Sequence, residues 1–229
     1  MYLPGCGLRD VGNCIEKTMP RYQVVFIDWN KTLSYSRFWQ QLEDESHPYF
    51  EQGKKIFAFL FGERRDLLVP WMRGAIQTNQ ILDEISGATG VPLSVIRDEL
   101  VESCMKMQFV FPDLPELILR IQKSGTKCVV ATDNMDTFRR YTIDSMRMHN
   151  IFDDFLLSNE LGVLKFDRNP QEEGIPFFDC YLKKNGLEYQ DVVLIDDCID
   201  DGTYERKGFC ILQVTSPQSF REHLEWLTT

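Results

Sequence analysis

The chain has 229 residues, 43% of them hydrophobic, and carries a formal net charge of -10 with a pI of about 4.8. This length fits one large domain, or a core with a smaller second domain. A general nucleic-acid-binding protein needs a basic face to meet phosphates, so the acidic balance argues against nucleic acid as a partner. No apolar run approaches the length that crosses a bilayer, so we expect no membrane partner either.

The seven cysteines are scattered and odd in number, and none forms a Cys-x-x-Cys pair. This pattern argues against a structural zinc site and suits a reducing, cytoplasmic location. Residues 1–20 are interrupted by glycine and proline and lack the apolar core of a signal peptide. We interpret them as an N-terminal extension, with Met19 as an alternative start.

The first predicted strand is the apolar run Val24–Ile27, which ends at the carboxylate of Asp28. Trp29 to Thr32 then turn the chain away from the strand direction. In open parallel α/β sheets, ligands bind beyond the carboxyl ends of the strands. Asp28 therefore lies where a reacting group is expected.

Residues 35–110 change character, because their apolar residues recur at helical spacing and Gly87, Gly90 and Pro92 mark helix ends and starts. A segment of roughly 75 residues is too long for an ordinary loop. We predict a small all-helical cap domain over 35–110, inserted into a core formed by 21–34 and 111–229. The apolar patch from Ile56 to Phe61 fits either the cap interior or an interface, so the oligomeric state stays open.

From Pro112 onward, predicted helices alternate with short apolar strands, which indicates a parallel sheet with right-handed crossovers. The predicted helices run over 115–124, from about Met135 to His149, over 177–184 and over 219–227. The predicted strands are 127–131, 155–157, 192–195 and 209–214.

Polar residues follow these strands at the edge where Asp28 is placed. Thr132, Lys165 and the pair Asp196–Asp197 each come after a strand or in its trailing loop, and four carboxylates lie between Asp196 and Asp201. So much negative charge in one crevice requires a cation or raised pKa values. Oxygen ligands suit a hard ion such as Mg²⁺, which also binds substrate phosphate. For Asp200, capping of the next helix is the preferred interpretation.

These residues resemble the four motifs of the haloacid dehalogenase-like hydrolases, a superfamily rich in small-molecule phosphatases. The matches, in chain order, are Asp28-Trp29-Asn30-Lys31-Thr32-Leu33, the strand ending in Thr132, Lys165 after Leu161-Gly162, and Asp196-Asp197 with Asp201. The resemblance covers about residues 22–215. It implies a Rossmann-like parallel sheet with helices on both faces, and a cap between the first two motifs.

The resemblance also implies roles for single residues. Asp28 would be the nucleophile that forms an aspartyl-phosphate. Thr132, with Asp133 and Asn134 beside it, would bind the phosphoryl group, and Lys165 would pair with that group and steady Asp28. Mg²⁺ would be held by Asp28, Asp196, Asp197 and the backbone carbonyl of Asn30, with Asp201 supporting the loop. The substrate would be a small phosphorylated metabolite whose identity the sequence does not give.

Asn30 departs from the family pattern, which usually has an aspartate there to protonate the leaving oxygen. An amide cannot transfer that proton, and general acid–base catalysis is typically worth about 100- to 10,000-fold. Three interpretations remain open. The protein is a slow phosphatase or prefers good leaving groups such as acyl phosphates; it is a weak or inactive protein that binds phosphorylated ligands or partners; or Asn30 is an introduced change.

Other hydrolytic chemistries have less support in the sequence. Dehalogenases of the family need no metal, which leaves the acidic fourth motif unexplained. The phosphonate-cleaving branch requires a cap lysine, for which Lys54 or Lys55 is available, but usually has a small residue at the position of Asn30. The three histidines are isolated and there is no Gly-x-Ser-x-Gly elbow, so a Ser-His-Asp hydrolase is not indicated.

Overall fold

The computed structural model describes residues 22–168 and 174–228 of the chain. The predicted extension over residues 1–20 lies outside the described residues. Within them, one sheet of five parallel strands has the order β3-β2-β1-β4-β5. The strands are β1 (Val24–Ile27), β2 (Lys127–Thr132), β3 (Asp154–Leu157), β4 (Val192–Asp196) and β5 (Cys210–Gln213).

Strand β1 lies at the centre of the sheet and all its residues are buried. Val24 pairs in register with Lys127 of β2 and with Val192 of β4, and Ile27 pairs with Val130 and Ile195. The carboxyl ends of the three central strands therefore meet at one edge of the sheet. This arrangement confirms the predicted α/β class with a parallel sheet.

Helices cover both faces of the sheet, as the alternation of side chains along β1 shows. Val24 and Phe26 belong to one buried apolar cluster together with Phe178. Val25 and Ile27 point into a second cluster on the opposite face. Helix α5 (Leu114–Lys123) precedes β2 in the chain. The α-helices after β2 are α6 (Ser158–Leu161), α7 (Pro176–Asn185), α8 (Thr203–Arg206) and α9 (Pro217–Trp226).

The segment between β1 and α5 is helical, as the sequence predicts. Its apolar residues belong to the same buried cluster as Val25 and Ile27, so the insertion shares one apolar core with that face of the sheet. Trp39 is fully buried there, and its indole N–H donates to the carbonyl of Ile96 at 2.9 Å. The insertion contains α1 (Phe50–Phe57), a π-helical turn (Ala58–Glu63), α2 (Leu68–Met72), α3 (Thr78–Thr89) and α4 (Leu93–Met105).

The two ends of the insertion are joined by hydrogen bonds. The N–H of Val110 donates to the carbonyl of Leu33 at 2.8 Å, and the Ser34 hydroxyl donates to the carbonyl of Gln108 at 2.6 Å. The insertion therefore begins and ends at the same place, just beyond the carboxyl end of β1.

The helix expected from about Met135 to His149 is shorter and irregular. It contains a π-helical turn over Phe138–Ile143, and a separate 3₁₀ turn follows at Met148–Asn150. Arg147 lies between them with φ of 52°, a left-handed conformation that ends a right-handed helix. Among the described residues, the helices are all too short or too polar to span a bilayer.

Candidate active site

Asp28 follows β1 and is fixed in the centre of the sheet edge. Its backbone N–H donates to the carbonyl of Ile195 in β4 at 2.9 Å, which continues the strand pairing by one residue. The residue is only 4% exposed. Its Oδ1 accepts a hydrogen bond from Lys165 Nζ at 2.6 Å. The predicted nucleophile and the predicted lysine are thus in direct contact, although 137 positions separate them in the chain.

Lys165 also contacts Asp196, the last residue of β4. Its Nζ lies 2.5 Å from Asp196 Oδ2, and Asp196 Oδ1 accepts the N–H of Cys198 at 2.8 Å. Burial disfavours the charged form of Lys165, but the carboxylates of Asp28 and Asp196 outweigh this and raise the lysine pKa above its usual value. Asp28, Lys165 and Asp196 thus form a buried ion cluster in which the lysine ammonium pairs with both carboxylates.

This shared ammonium leaves the Asp28 carboxyl under-compensated. Burial raises its pKa to about 7, an effect that Lys165 opposes and Asp196 reinforces. Binding of a second cation at this edge of the sheet would therefore favour loss of the proton from the Asp28 carboxyl.

Asp197 offers the carboxylate for such a cation. One oxygen each from Asp196 and Asp197 and the Cys198 thiol lie within 4.8 Å of one another. Asp197 is partly exposed, and its Oδ2 lies 3.6 Å from Lys31 Nζ, so a positive charge already approaches it. The carboxylate oxygens of Asp196 and Asp197 suit a hard divalent cation such as Mg²⁺. The ligand set of Asp28, Asp196, Asp197 and the Asn30 carbonyl stays a prediction.

The residues that follow β2 differ in their contacts. Thr132 is buried at the end of the strand, level with Leu157 of β3. Asp133 Oδ1 accepts the backbone N–H of Lys165 at 3.0 Å, and burial raises the pKa of this carboxyl while Lys165 lowers it. Asn134 uses its side-chain oxygen to accept the N–H of Met135 at 2.9 Å. The Asp133 side chain therefore contacts the backbone of Lys165, whereas the Asn134 side chain bonds to the neighbouring Met135.

The remaining predicted residues lie at the rim of the site. Asn30 is exposed and pairs through its backbone with Ser34. Asp200 accepts the backbone N–H of Tyr204 at 3.1 Å, which places it as a cap of α8. Asp201 accepts the N–H of Thr203 at 2.9 Å, and hydrogen bonds from that residue lower the Asp201 pKa.

The insertion reaches this edge of the sheet through the end of α2, which the sequence pattern does not reveal. The carbonyl of Met72 accepts the Ser158 hydroxyl at 2.6 Å, and Arg73 Nη2 donates to Asp167 Oδ1 at 2.5 Å. Gly74 packs so tightly against Asn159 that a Cβ there would lie 2.3 Å from its carbonyl oxygen. Consecutive residues of the insertion thus contact the start of α6 and the loop around Lys165.

Known structures share this architecture. A haloacid dehalogenase (HAD) family enzyme from Bacteroides thetaiotaomicron matches with a TM-score of 0.61 and 16% identity, over 85% of this chain and 94% of that one. The wild-type enzyme in complex with magnesium and inorganic phosphate matches at 0.57 and 14%, over 85% and 95%. An L-2-haloacid dehalogenase from Xanthobacter autotrophicus matches at 0.58 and 15%, over 90% and 83%. No protein-family model and no curated protein sequence matches the chain.

The protein therefore has the haloacid dehalogenase-like fold, as the four sequence motifs indicated. The fold is shared by the magnesium- and phosphate-bound enzyme and by the dehalogenase, so it does not by itself select one reaction.

Proposed function

We propose that the protein is a Mg²⁺-dependent hydrolase that removes phosphoryl groups from small phosphorylated metabolites. The observation that carries this proposal is the buried contact of Lys165 with Asp28 at 2.6 Å, beside an acidic pair at the end of β4. A carboxylate nucleophile with a fixed cation and a metal-binding pair provides what phosphoryl transfer requires, namely positioning and neutralisation of charge.

The acidic pair favours a phosphatase over a dehalogenase. Lys165 compensates only part of the charge on Asp28 and Asp196, and Asp197 adds a further carboxylate within reach of Lys31. When bound, Mg²⁺ would neutralise this excess and polarise the phosphoryl oxygens. A reaction that needs no divalent cation would leave that negative charge unexplained.

The chain's own residues then have the following roles. Asp28 attacks phosphorus and forms an aspartyl-phosphate while the bond to the leaving oxygen breaks. Lys165 and Thr132 bind the phosphoryl oxygens, with Asp133 and Asn134 shaping the loop that follows Thr132. Water afterwards cleaves the acyl phosphate, which restores the Asp28 carboxylate and releases inorganic phosphate.

Asn30 limits this chemistry at the leaving oxygen. Its amide donates a hydrogen bond but supplies no proton, so alkoxide leaving groups depart slowly and acyl phosphates, whose leaving group is a carboxylate, depart more readily. The same exposed amide supports a second candidate function, in which the protein binds phosphorylated ligands or partners with little turnover.

The test is phosphate release from a panel of phosphomonoesters and acyl phosphates, with Mg²⁺ and with a chelator. Asp28→Asn provides the blank, because it keeps the size of the side chain and removes the nucleophile. Asp144→Asn, an exposed carboxylate paired only loosely with His149 at 3.7 Å, provides the matched control. We expect metal-dependent release that the blank abolishes and the control retains.

Two results would redirect the proposal. Halide release from 2-haloacids, independent of Mg²⁺ and lost in the blank, would make the protein a dehalogenase. Tight phosphate binding without release from any compound would support the binding function instead.

A further inference from the structure

The backbone of Lys165 is held at both of its polar groups by side chains from other parts of the fold. Its N–H donates to Asp133 Oδ1 at 3.0 Å, from the loop after β2. Its carbonyl accepts the Tyr204 hydroxyl at 2.7 Å, from α8, and an Arg168 N–H at 3.2 Å. The two peptide groups that flank the Lys165 Cα are thus held from the second and the fourth motif regions together.

Lys165 needs such support because it lies outside the helices and strands of the fold. Its ammonium sits on a flexible four-carbon chain, yet it must meet Asp28 at 2.6 Å and Asp196 at 2.5 Å. A functional group is presented accurately only when the groups that support it are themselves fixed.

Tyr204 is suited to this purpose. It is fully buried, and its ring packs edge-on or tilted against Phe166, Phe178 and Phe209 with centroids 5.2 to 6.2 Å apart. Packing of this kind fixes the ring, and a buried hydroxyl requires a partner. A phenylalanine ring would fill the same space, so packing alone does not account for the Tyr204 hydroxyl.

Asp133 is better explained as a support for the lysine than as a contact of the substrate. A fourth carboxylate, added to Asp28, Asp196 and Asp197 at an edge of the sheet that binds an anion, would repel that anion. Instead, the Asp133 carboxylate is held against the Lys165 backbone, because its Oδ1 accepts the Lys165 N–H.

We propose that Asp133 and Tyr204 are positioning residues that clamp the Lys165 backbone, so that its ammonium meets Asp28 and the phosphoryl group of the substrate. The clamp itself stands on the geometry, and its catalytic consequence rests on the proposed function. Neither residue takes part in bond making or breaking.

The experiment compares three variants with a matched control. Tyr204→Phe removes one hydroxyl, Asp133→Ala removes the acceptor, and Asp133→Asn keeps an acceptor oxygen in the same place. Tyr189→Phe deletes another hydrogen-bonded hydroxyl, which contacts Ile175 and Asp179 away from the lysine. The measurements are amide hydrogen exchange at Lys165, the dissociation constant of inorganic phosphate with Mg²⁺ present, and the affinity for Mg²⁺ alone.

We expect the Lys165 amide to exchange about tenfold faster in Asp133→Ala and at the original rate in Asp133→Asn. Phosphate binding should weaken about fivefold in Tyr204→Phe and in Asp133→Ala, the effect of one net hydrogen bond, with Mg²⁺ affinity and the Tyr189→Phe control unchanged. If the two residues only stabilised the fold, the variants would lower thermal stability, and the affinities for phosphate and for Mg²⁺ would fall together. Asp133→Asn and Asp133→Ala would then behave alike.

The outcomes also separate this proposal from the proposed function. If the original protein binds no phosphate, the proposed function fails, while the amide exchange still decides whether the clamp exists. If the original protein binds phosphate and the Tyr204→Phe and Asp133→Ala variants match it in both exchange and affinity, the clamp is overturned and the proposed function stands.

Discussion

Arg73 of the insertion donates a hydrogen bond to the carboxylate of Asp167 at 2.5 Å, two residues after Lys165. The other oxygen of Asp167 accepts the backbone N–H of Leu164 at 2.8 Å. The insertion is thereby tied to the loop that presents the lysine, and displacement of α2 would loosen that loop.

Charge reversal tests this tie. Arg73→Glu should lower the free energy of unfolding by about 1 kcal/mol, because it sets two carboxylates face to face at a partly buried contact. The double variant Arg73→Glu with Asp167→Arg should recover at least half of the loss, as measured by urea denaturation. Arg37→Glu is the control, since its pair with Glu43 is exposed and stays within the insertion. Equal losses in the single and double variants would argue against a direct pair.

Loss of the buried ammonium should be severe. Lys165→Met leaves Asp28 and Asp196 facing each other without their cation, which typically costs about 3–5 kcal/mol. Thermal unfolding in a chelator should show this cost, and added Mg²⁺ should return part of it by binding the folded state. Lys54→Met, at an exposed lysine paired with Glu51, should change little. A Lys165→Met protein as stable as the original would contradict the ion cluster.

Stability without metal should depend on pH through Asp28. Its folded-state pKa of about 7 lies above the usual aspartate pKa of 3.8, so between these values the folded form binds more protons than the unfolded chain. The contribution of Asp28 therefore becomes less favourable as pH rises from about 4 to 7. Denaturation of the metal-free protein across that range should show the decline, and Asp28→Asn should flatten it. Parallel curves for the two proteins would show that another group titrates there.

Restoring a carboxylate at position 30 should reveal how far the amide limits turnover. Asn30→Asp should raise hydrolysis of alkyl phosphomonoesters by at least about 100-fold, because it adds a general acid at the leaving oxygen. Acyl phosphates should gain much less, since their leaving group needs no proton. Phosphate release with Mg²⁺ measures both, with the exposed Asn150→Asp as control. An equal gain for both substrate classes would mean that the new carboxylate acts elsewhere.

The sequence predicts the sheet well because each strand is a short, mainly apolar run that ends in a polar residue or is followed directly by one. Asp28, Lys165 and Asp196 come together as expected, since parallel strands bring their carboxyl ends to one edge. The approximate strand bounds also agree, with β5 shorter by one residue at each end.

Tertiary contacts were beyond the reach of the sequence pattern. Tyr204 carries no local sign that its hydroxyl reaches the carbonyl of Lys165, 39 positions away. Arg147 adopts a left-handed backbone conformation that glycine or asparagine usually marks in a sequence. Because neither residue is present there, the helix after β2 is predicted too long. Whether residues 35–110 behave as a separate cap domain stays a prediction, because their apolar core is continuous with one face of the sheet.

The hydrogen-bonded junction between Leu33 and Val110 has a consequence for how this architecture can vary. The chain departs and returns at one point, and the entropy of closing a loop there grows only slowly with its length. Segments of quite different size can therefore be closed at this junction at similar entropic cost. A replacement must still keep the tie that Arg73 makes to Asp167 beside Lys165.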